Sequence, residues 1–192
     1  MNNLNNVYQL INLAQKLLVN KAFNQEENLK KALIYLNEAL SLKNINNLNL
    51  NDKAIFLNAF LIRAKIFLQL GDYLRCIDDC NTSEGIDSSE YLIFLLRGNS
   101  KLELNKFDEA IHDYEKGILR NPNDPNLFMG KGIAEFELCN FKEALNNFKS
   151  AKKRSFSFLS NSELLEMYIT MAESYVEGEL ISINEFLSKF EK

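Results

Sequence analysis

The sequence predicts an all-α protein, an α-solenoid of antiparallel helix pairs, and three observations carry that expectation. The first is internal repetition: slid past itself by thirty-four residues, the stretch Phe128 to Ala151 falls on an almost equivalent one. Phe128, Gly132, Phe141, Ala144, Phe148 and Ala151 return one period upstream as Phe94, Gly98, Phe107, Ala110, Tyr114 and Gly117. One period earlier the set reads Phe60, Ala64, Tyr73, Cys76, Cys80 and Ser83. The second is apolar spacing at three and four residues, the mark of amphipathic helices. The third is composition: two prolines, seven glycines and no tryptophan, with abundant Leu, Ile and Phe.

The repeat has a packing meaning. Gly98, Gly132 and Ala64 lie four residues after an aromatic anchor, one turn on and on the same helix face. Small residues there let a second helix approach closely, and Ala110 and Ala144 do the same from the other side. Phe107, Tyr114, Phe141 and Phe148 then supply the volume that fills the crossing.

In chain order, a first helix is expected from about Asn5 to Lys21, with Leu10, Leu13, Ala14 and Leu17 in phase but no aromatic anchor. A second, from about Glu27 to Lys43, carries Leu29, Ala32, Leu36 and Ala39 in the slots of Phe107, Ala110, Tyr114 and Gly117. This first unit diverges, as a terminal unit does when one face has no neighbour. The tract Asn44 to Asn51 stretches the next interval to forty-four residues and reads as a surface loop or a helix extension. Its asparagines, like those of Asn2 to Asn6, read as drift of loops and helix surfaces rather than as a functional polar tract.

Six helices follow, near Asp52 to Leu70, Tyr73 to Glu84, Ser89 to Leu104, Phe107 to Leu119, Pro125 to Leu138 and Phe141 to Lys153. Pro125 suits a first helical turn, with Asp124 as N-cap. After an insertion at 155–160, Tyr168, Met171, Ala172 and Tyr175 restart the first-helix pattern. Ser182 to Glu185 forms a capping box that opens a last helix with Phe186, Leu187 and Phe190 in a stripe. The whole is expected as a single domain over 1–192, with units at about 5–43, 52–87, 89–122, 125–154 and a shortened capping unit at 162–192.

The net charge of −4 and a sequence pI near 5.2 argue against general nucleic-acid affinity. No apolar run is long enough for a membrane span, and Met1 to Asn6 lacks the basic and apolar regions of a secretory signal. Three cysteines without disulfide-framework spacing suit a reducing compartment, so a cytoplasmic protein is expected. Cys76 and Cys80 stand at i,i+4 as a metal pair might, but they occupy core slots of the repeat. His112 falls on an outer face without a ligand partner.

No local signature of an enzyme is present: no G-x-S-x-G, no glycine-rich phosphate loop, no H-E-x-x-H and no C-x-x-C. Acidic pairs such as Asp78-Asp79 read as solvated helix faces. The basic run Lys149, Lys152, Lys153 and Arg154 reads as a helix C-terminus favoured by cations. The expectation is a protein that is not an enzyme and uses no cofactor or metal.

What remains is surface. The first helices of stacked pairs line a concave groove, and helical phase places there the residues that do not face their own second helix. On the second unit these are Asn58, Leu61, Ile62, Lys65 and Leu68. On the third they are Leu92, Leu95, Leu96, Asn99 and Leu102, with Glu103 one residue on at the groove, and on the fourth Asn126, Met129, Ile133 and Phe136. Such a groove is mostly apolar, and an apolar patch of that extent marks a binding site or a surface covered by the same chain. An open groove makes Leu96 an exposed side chain that tolerates Lys.

The order of bulky and small residues resembles the tetratricopeptide repeat family, whose unit is one helix–turn–helix. Gly71-Asp72-Tyr73 and Asn105-Lys106-Phe107 match its inter-helix turn, and Asn121-Pro122 its usual ending. The resemblance implies a right-handed superhelix. Phe60 to Asp87 is most similar to the middle repeat of domains that bind chaperone C-terminal tails, through Arg63-Ala64, Leu70 to Tyr73 and Asp78 to Cys80. Those domains grip a terminal carboxylate with Lys, Asn and Arg side chains. Carried over one by one, the positions fall on Ile11, Gln15, Ile62, Leu92 and Leu96, and none of the five residues is kept. Arg63, Arg97 and Lys131 form a basic ladder at the repeat period, read as buried stems with heads reaching water.

The function expected is a protein–protein interaction scaffold whose groove receives an apolar or amphipathic peptide or helix, with Leu61, Ile62, Leu95, Leu96, Met129 and Ile133 as anchors and Lys65, Asn99 and Glu103 orienting it. The alternatives are a co-chaperone adaptor binding chaperone tails through a non-standard site, and a structural subunit whose groove is filled by itself or a second copy.

Overall fold

The computed structural model describes residues 2–19, 25–42, 49–155 and 162–178. Over them the chain forms α1 (Asn2–Val19), α2 (Gln25–Ser41), α3 (Leu50–Gln69), α4 (Tyr73–Ile86), α5 (Tyr91–Glu103), α6 (Phe107–Arg120), α7 (Pro125–Glu137), α8 (Phe141–Arg154) and α9 (Ser162–Glu177). No strand occurs among the described residues, and the fold is the all-α helix-pair class that the repeat predicts. The loop at 43–48, most of the insertion and the last helix expected from Ser182 lie outside the described residues.

Helix limits follow local chemistry. α3 starts at Leu50 because the Asn49 side chain accepts a hydrogen bond from the Asp52 N–H at 2.9 Å, so the end of the asparagine tract is a cap. α5 starts two residues later than expected, since Asp87 Oδ1 accepts from the Ser89 N–H and holds that segment in a turn. Asp124 caps α7 from the Asn126 N–H, with Pro125 in the first turn.

Three inter-helix turns share one geometry. Gly71, Asn105 and Cys139 take left-handed φ values of 74°, 58° and 62°. In each turn the following N–H reaches back across the helix end: Asp72 to the Phe67 carbonyl, Lys106 to Lys101 and Asn140 to Glu135, at 2.9, 2.8 and 2.9 Å. This is a Schellman closure repeated at the sequence period. Gly71 is at ease there, whereas Cys139 is an L-residue in a region its Cβ disfavours.

The chain divides into two compact units, Met1–Ser100 and Lys101–Lys192. In the first, α1 packs on α2 and α3 on α4, while α3 also meets α2 and α1. Val7, Ile11 and Ala14 of α1 join Ala32, Leu36 and Ala39 of α2 and Phe56, Ala59 and Phe60 of α3 in one buried cluster. A second cluster gathers Ala64, Phe67, Cys76, Cys80, Ile93, Phe94 and Leu96. The two cysteines are fully buried core residues, and the hydrogen bond with Cys76, together with burial, pushes the Cys80 thiol up, so that it stays protonated.

In the second unit α7 packs on α6 and α8, and α8 on α9. The crossings are as tight as the repeat implies. A Cβ added to Gly132 would stand 2.6 Å from the Phe148 ring, and one added to Gly130 would stand 2.4 Å from the Tyr114 ring. Tyr168 of α9 stacks on Phe148 at 5.1 Å and Tyr175 on Phe141 at 4.2 Å, while Ala172 is fully buried. The restarted pattern therefore packs as a first helix.

Charged groups depart from the sequence reading in two places. Asp79 is buried, and Arg63 donates to both its carboxylate oxygens at 2.8 and 2.7 Å, so this acidic pair is not a solvated face. Burial pushes the Asp79 carboxyl above its ordinary range, and the guanidinium offsets part of that. The basic ladder also ends in partners rather than in water: Arg63 reaches Asn37 as well, Arg97 meets Asn81 and Glu84, and Lys131 meets Glu115. The basic run at the end of α8 is structural, with Lys149 paired to Glu173, Lys152 to Glu166, and Arg154 lying 4.0 Å over the Phe128 ring.

Replacing the strained L-residue should help: Cys139→Gly is expected to raise stability by about 1 kcal/mol, read as a higher urea midpoint at unchanged slope. In urea unfolding of variants of the buried ion pair, Asp79→Ala should cost about 2–3 kcal/mol by stranding Arg63. Arg63→Met with Asp79→Leu should return to within about 1 kcal/mol of the parent, since burial already opposes the charge. Leu96, at 8% exposure among Phe67, Ile93 and Phe94, is not an open-groove side chain. Leu96→Lys is therefore expected to destabilise by about 2–4 kcal/mol, which thermal unfolding would register.

Candidate functional site

Of the residues that phase places in a groove, several are used by the fold itself. Leu96 belongs to the second cluster of the first unit, and Leu61 packs against it half-buried. Ile62 packs half-buried on the first cluster. Leu92, Leu95 and Asn99 are half-buried on α5. In the second unit Met129 is buried at 9% exposure, with Ile133 packed against the same cluster, and Glu103 is exposed. Asn58 and Lys65 stand exposed on α3, two turns apart on one face. The expected apolar stripe is thus largely packing material, and the open part of the face is polar.

A cleft of about 360 Å³ opens on that face in the first unit, between α1 and α3. Its α1 wall is Tyr8, Ile11, Asn12 and Gln15, at i, i+3, i+4 and i+7 on one helix face. Its α3 wall is Ala54, Ile55 and Asn58. Ile11 and Ile55 form the floor at 3% and 8% exposure, and Tyr8 rises from the rim at 49%. None of the lining residues is charged.

The walls hold because the residues behind them are core. Val7, Leu10 and Ala14 are buried in the cluster shared with α2 and α3, and Tyr8, Asn12 and Gln15 beside them line the cleft. On α3, Phe56, Ala59 and Phe60 are buried, which leaves Ala54 and Asn58 outward. Chemically, the cleft offers an apolar floor, a phenol and three carboxamides, each able to donate and accept. It offers no cation for an anion and no carboxylate for a base.

The sequence places Asn58 here by phase, and the carried-over frame places Ile11 and Gln15. Tyr8, Asn12, Ala54 and Ile55 are missed. α1 has no aromatic anchor, so its phase cannot be transferred from the other units; its own i, i+4, i+7 series from Tyr8 is the signal that finds the wall.

Residues 92–124 match the tetratricopeptide repeat family model. The fold is similar to that of MamA 41-end from Desulfovibrio magneticus RS-1, with a TM-score of 0.73 and 14% identity over 96% of this chain and 92% of that one. The TPR domain of Arabidopsis OM64 superposes at a TM-score of 0.58 and 15% identity, over 62% of this chain and 95% of that one. The second TPR domain of human RPAP3, solved in complex with the HSP70 peptide SGPTIEEVD, gives 0.55 and 20% identity over 64% and 97%. No helix among the described residues is long and apolar enough to cross a membrane. The chain therefore carries a tetratricopeptide repeat at residues 92–124 and has the fold of tetratricopeptide-repeat proteins.

Proposed function

We propose that this chain is a non-catalytic, cytoplasmic protein–protein interaction scaffold that holds a peptide segment of its partner on the first-helix face of its first unit. The observation that carries the reading is the uncharged cleft between α1 and α3, formed beside Asn58 on a face whose apolar members are already packed. A concave site with an apolar floor and a few polar groups is the general form of a ligand site. The fold supplies the prior: tetratricopeptide-repeat proteins are a family of interaction modules, and the face in question belongs to their paired first helices.

The co-chaperone reading fares less well on this chain's residues. The five carried-over positions are Ile11, Gln15, Ile62, Leu92 and Leu96, of which Ile11 and Leu96 are buried. A carboxylate placed there exchanges its hydration for methyl groups and one amide. The likeness to a domain solved with a chaperone peptide extends to the fold.

The test is a quantitative capture from a native extract with the full chain and with an Asn58→Glu/Lys65→Glu variant, both positions being exposed and the variant checked for helicity by circular dichroism. Proteins retained by the parent and lost by the variant are the expected result. Identical sets would move binding to another surface and overturn this reading.

A further inference from the structure

We propose that the α1/α3 cleft binds an extended, uncharged stretch of polypeptide, its backbone hydrogen-bonded by the carboxamides of Asn12, Gln15 and Asn58 and one apolar side chain set over Ile11 and Ile55. The inference rests on the interaction reading above and specifies the ligand of that site.

Charge comes first. The lining has no ionised side chain, so an acidic or basic residue entering it would lose hydration and gain no counterion. Selection therefore runs toward neutral segments. Backbone chemistry comes second. A carboxamide both donates and accepts, the same pair of functions that a peptide group presents, and here such groups stand on both walls. A helical ligand has its backbone groups already bonded to one another, so it would leave the amides to its side chains alone. An extended segment presents free N–H and C=O groups along its length.

Dimensions agree. From Tyr8 to Gln15 the α1 wall advances about 10 Å along its axis, the length that roughly three residues of extended chain cover. A cleft of about 360 Å³ lies at the small end of the range for ligand sites, roughly 300–1,000 Å³, and suits a short segment with one large side chain. Ile11 and Ile55, buried beneath the amides, fix that side chain as apolar.

Fluorescent peptides titrated against the full chain, followed by anisotropy at low and high salt, test the proposal. Three sets are used: short uncharged peptides blocked at both ends and containing one Leu or Val, acidic peptides with a free C-terminal carboxylate including SGPTIEEVD, and basic peptides. Only the uncharged set should bind, with affinity within about twofold in both salts. The Asn12→Ala/Asn58→Ala variant removes two amides at exposed helical positions where Ala is favourable. It should weaken binding by about tenfold or more, and backbone N-methylation of the peptide should do the same.

Salt-sensitive binding confined to the acidic set overturns the proposal, as does neutral-peptide binding untouched by the amide variant. Binding from no set overturns it too. If no set binds while the Asn58→Glu/Lys65→Glu variant still loses proteins from the extract, the peptide inference falls and the scaffold reading stands. Neutral peptides that bind while the extract sets stay identical give the reverse.

Discussion

The structure depends on close approach at the helix crossings, where one side is an aromatic ring and the other has almost no side chain. Gly132 lies under Phe148 and Gly130 under Tyr114 at separations that a Cβ would violate. Gly117 stands in the same relation to Leu127, whose methyl would be 2.5 Å from an added Cβ. Interiors are packed near crystalline density, so the small residue does not leave a gap; it lets the ring fill the space its own side chain would take. The Gly132 and Phe148 pair recurs in the sequence one period upstream as Gly98 and Tyr114, whereas the position of Gly130 is held there by Leu96. Helix propensity is secondary: Gly130 and Gly132 sit inside α7, where glycine opposes the helix by about 1 kcal/mol relative to Ala, and tertiary packing overrides that cost.

Tight crossings decide what is left for a ligand. Large apolar residues on the first helices are drawn between neighbours: Leu96 and Met129 become core, while Leu61, Ile62 and Ile133 become its edge. The charged residues are drawn in as well. Arg63 binds Asp79, Arg97 binds Asn81, and Lys131 binds Glu115, each across sixteen residues of sequence to an adjacent helix. Bonds of that kind fix the angle between helices more than they stabilise it, because desolvation offsets much of the Coulombic gain. The cleft of the first unit is lined on α1 by Tyr8, Asn12 and Gln15 around a single large aliphatic residue, Ile11.

The fold was legible in the sequence wherever the period could be seen. The aromatic and small positions of α5 to α8 are fixed by register, and the packing of Tyr168 and Ala172 followed from the same order of residues. Other features hide from pattern. Cys139 occupies a left-handed turn position that Gly71 announces and cysteine does not. Asp79 looks like half of a solvated acidic pair until Arg63 is known to lie against it. Leu96 has the phase of a groove residue, but phase gives direction and not depth. The candidate site was the least legible part: Asn58 was reachable by register, whereas Tyr8 and Asn12 lie on a divergent helix with no anchor to align.

The same divergence separates fold from ligand. A likeness at 20% identity to a domain solved with an acid-rich peptide conveys the arrangement of helix pairs and nothing about which side chains face the ligand. Anion recognition is local: it needs donors at the particular positions where charge will sit. In this chain the corresponding positions hold Ile11, Gln15, Ile62, Leu92 and Leu96. Water removed from a carboxylate at those places would not be replaced. Water removed from a neutral peptide group between Asn12 and Asn58 would be, since each amide can take over a bond that the solvent gives up. One scaffold can thus serve opposite ligand chemistries, and in this chain the residues on α1 and α3 favour the neutral one.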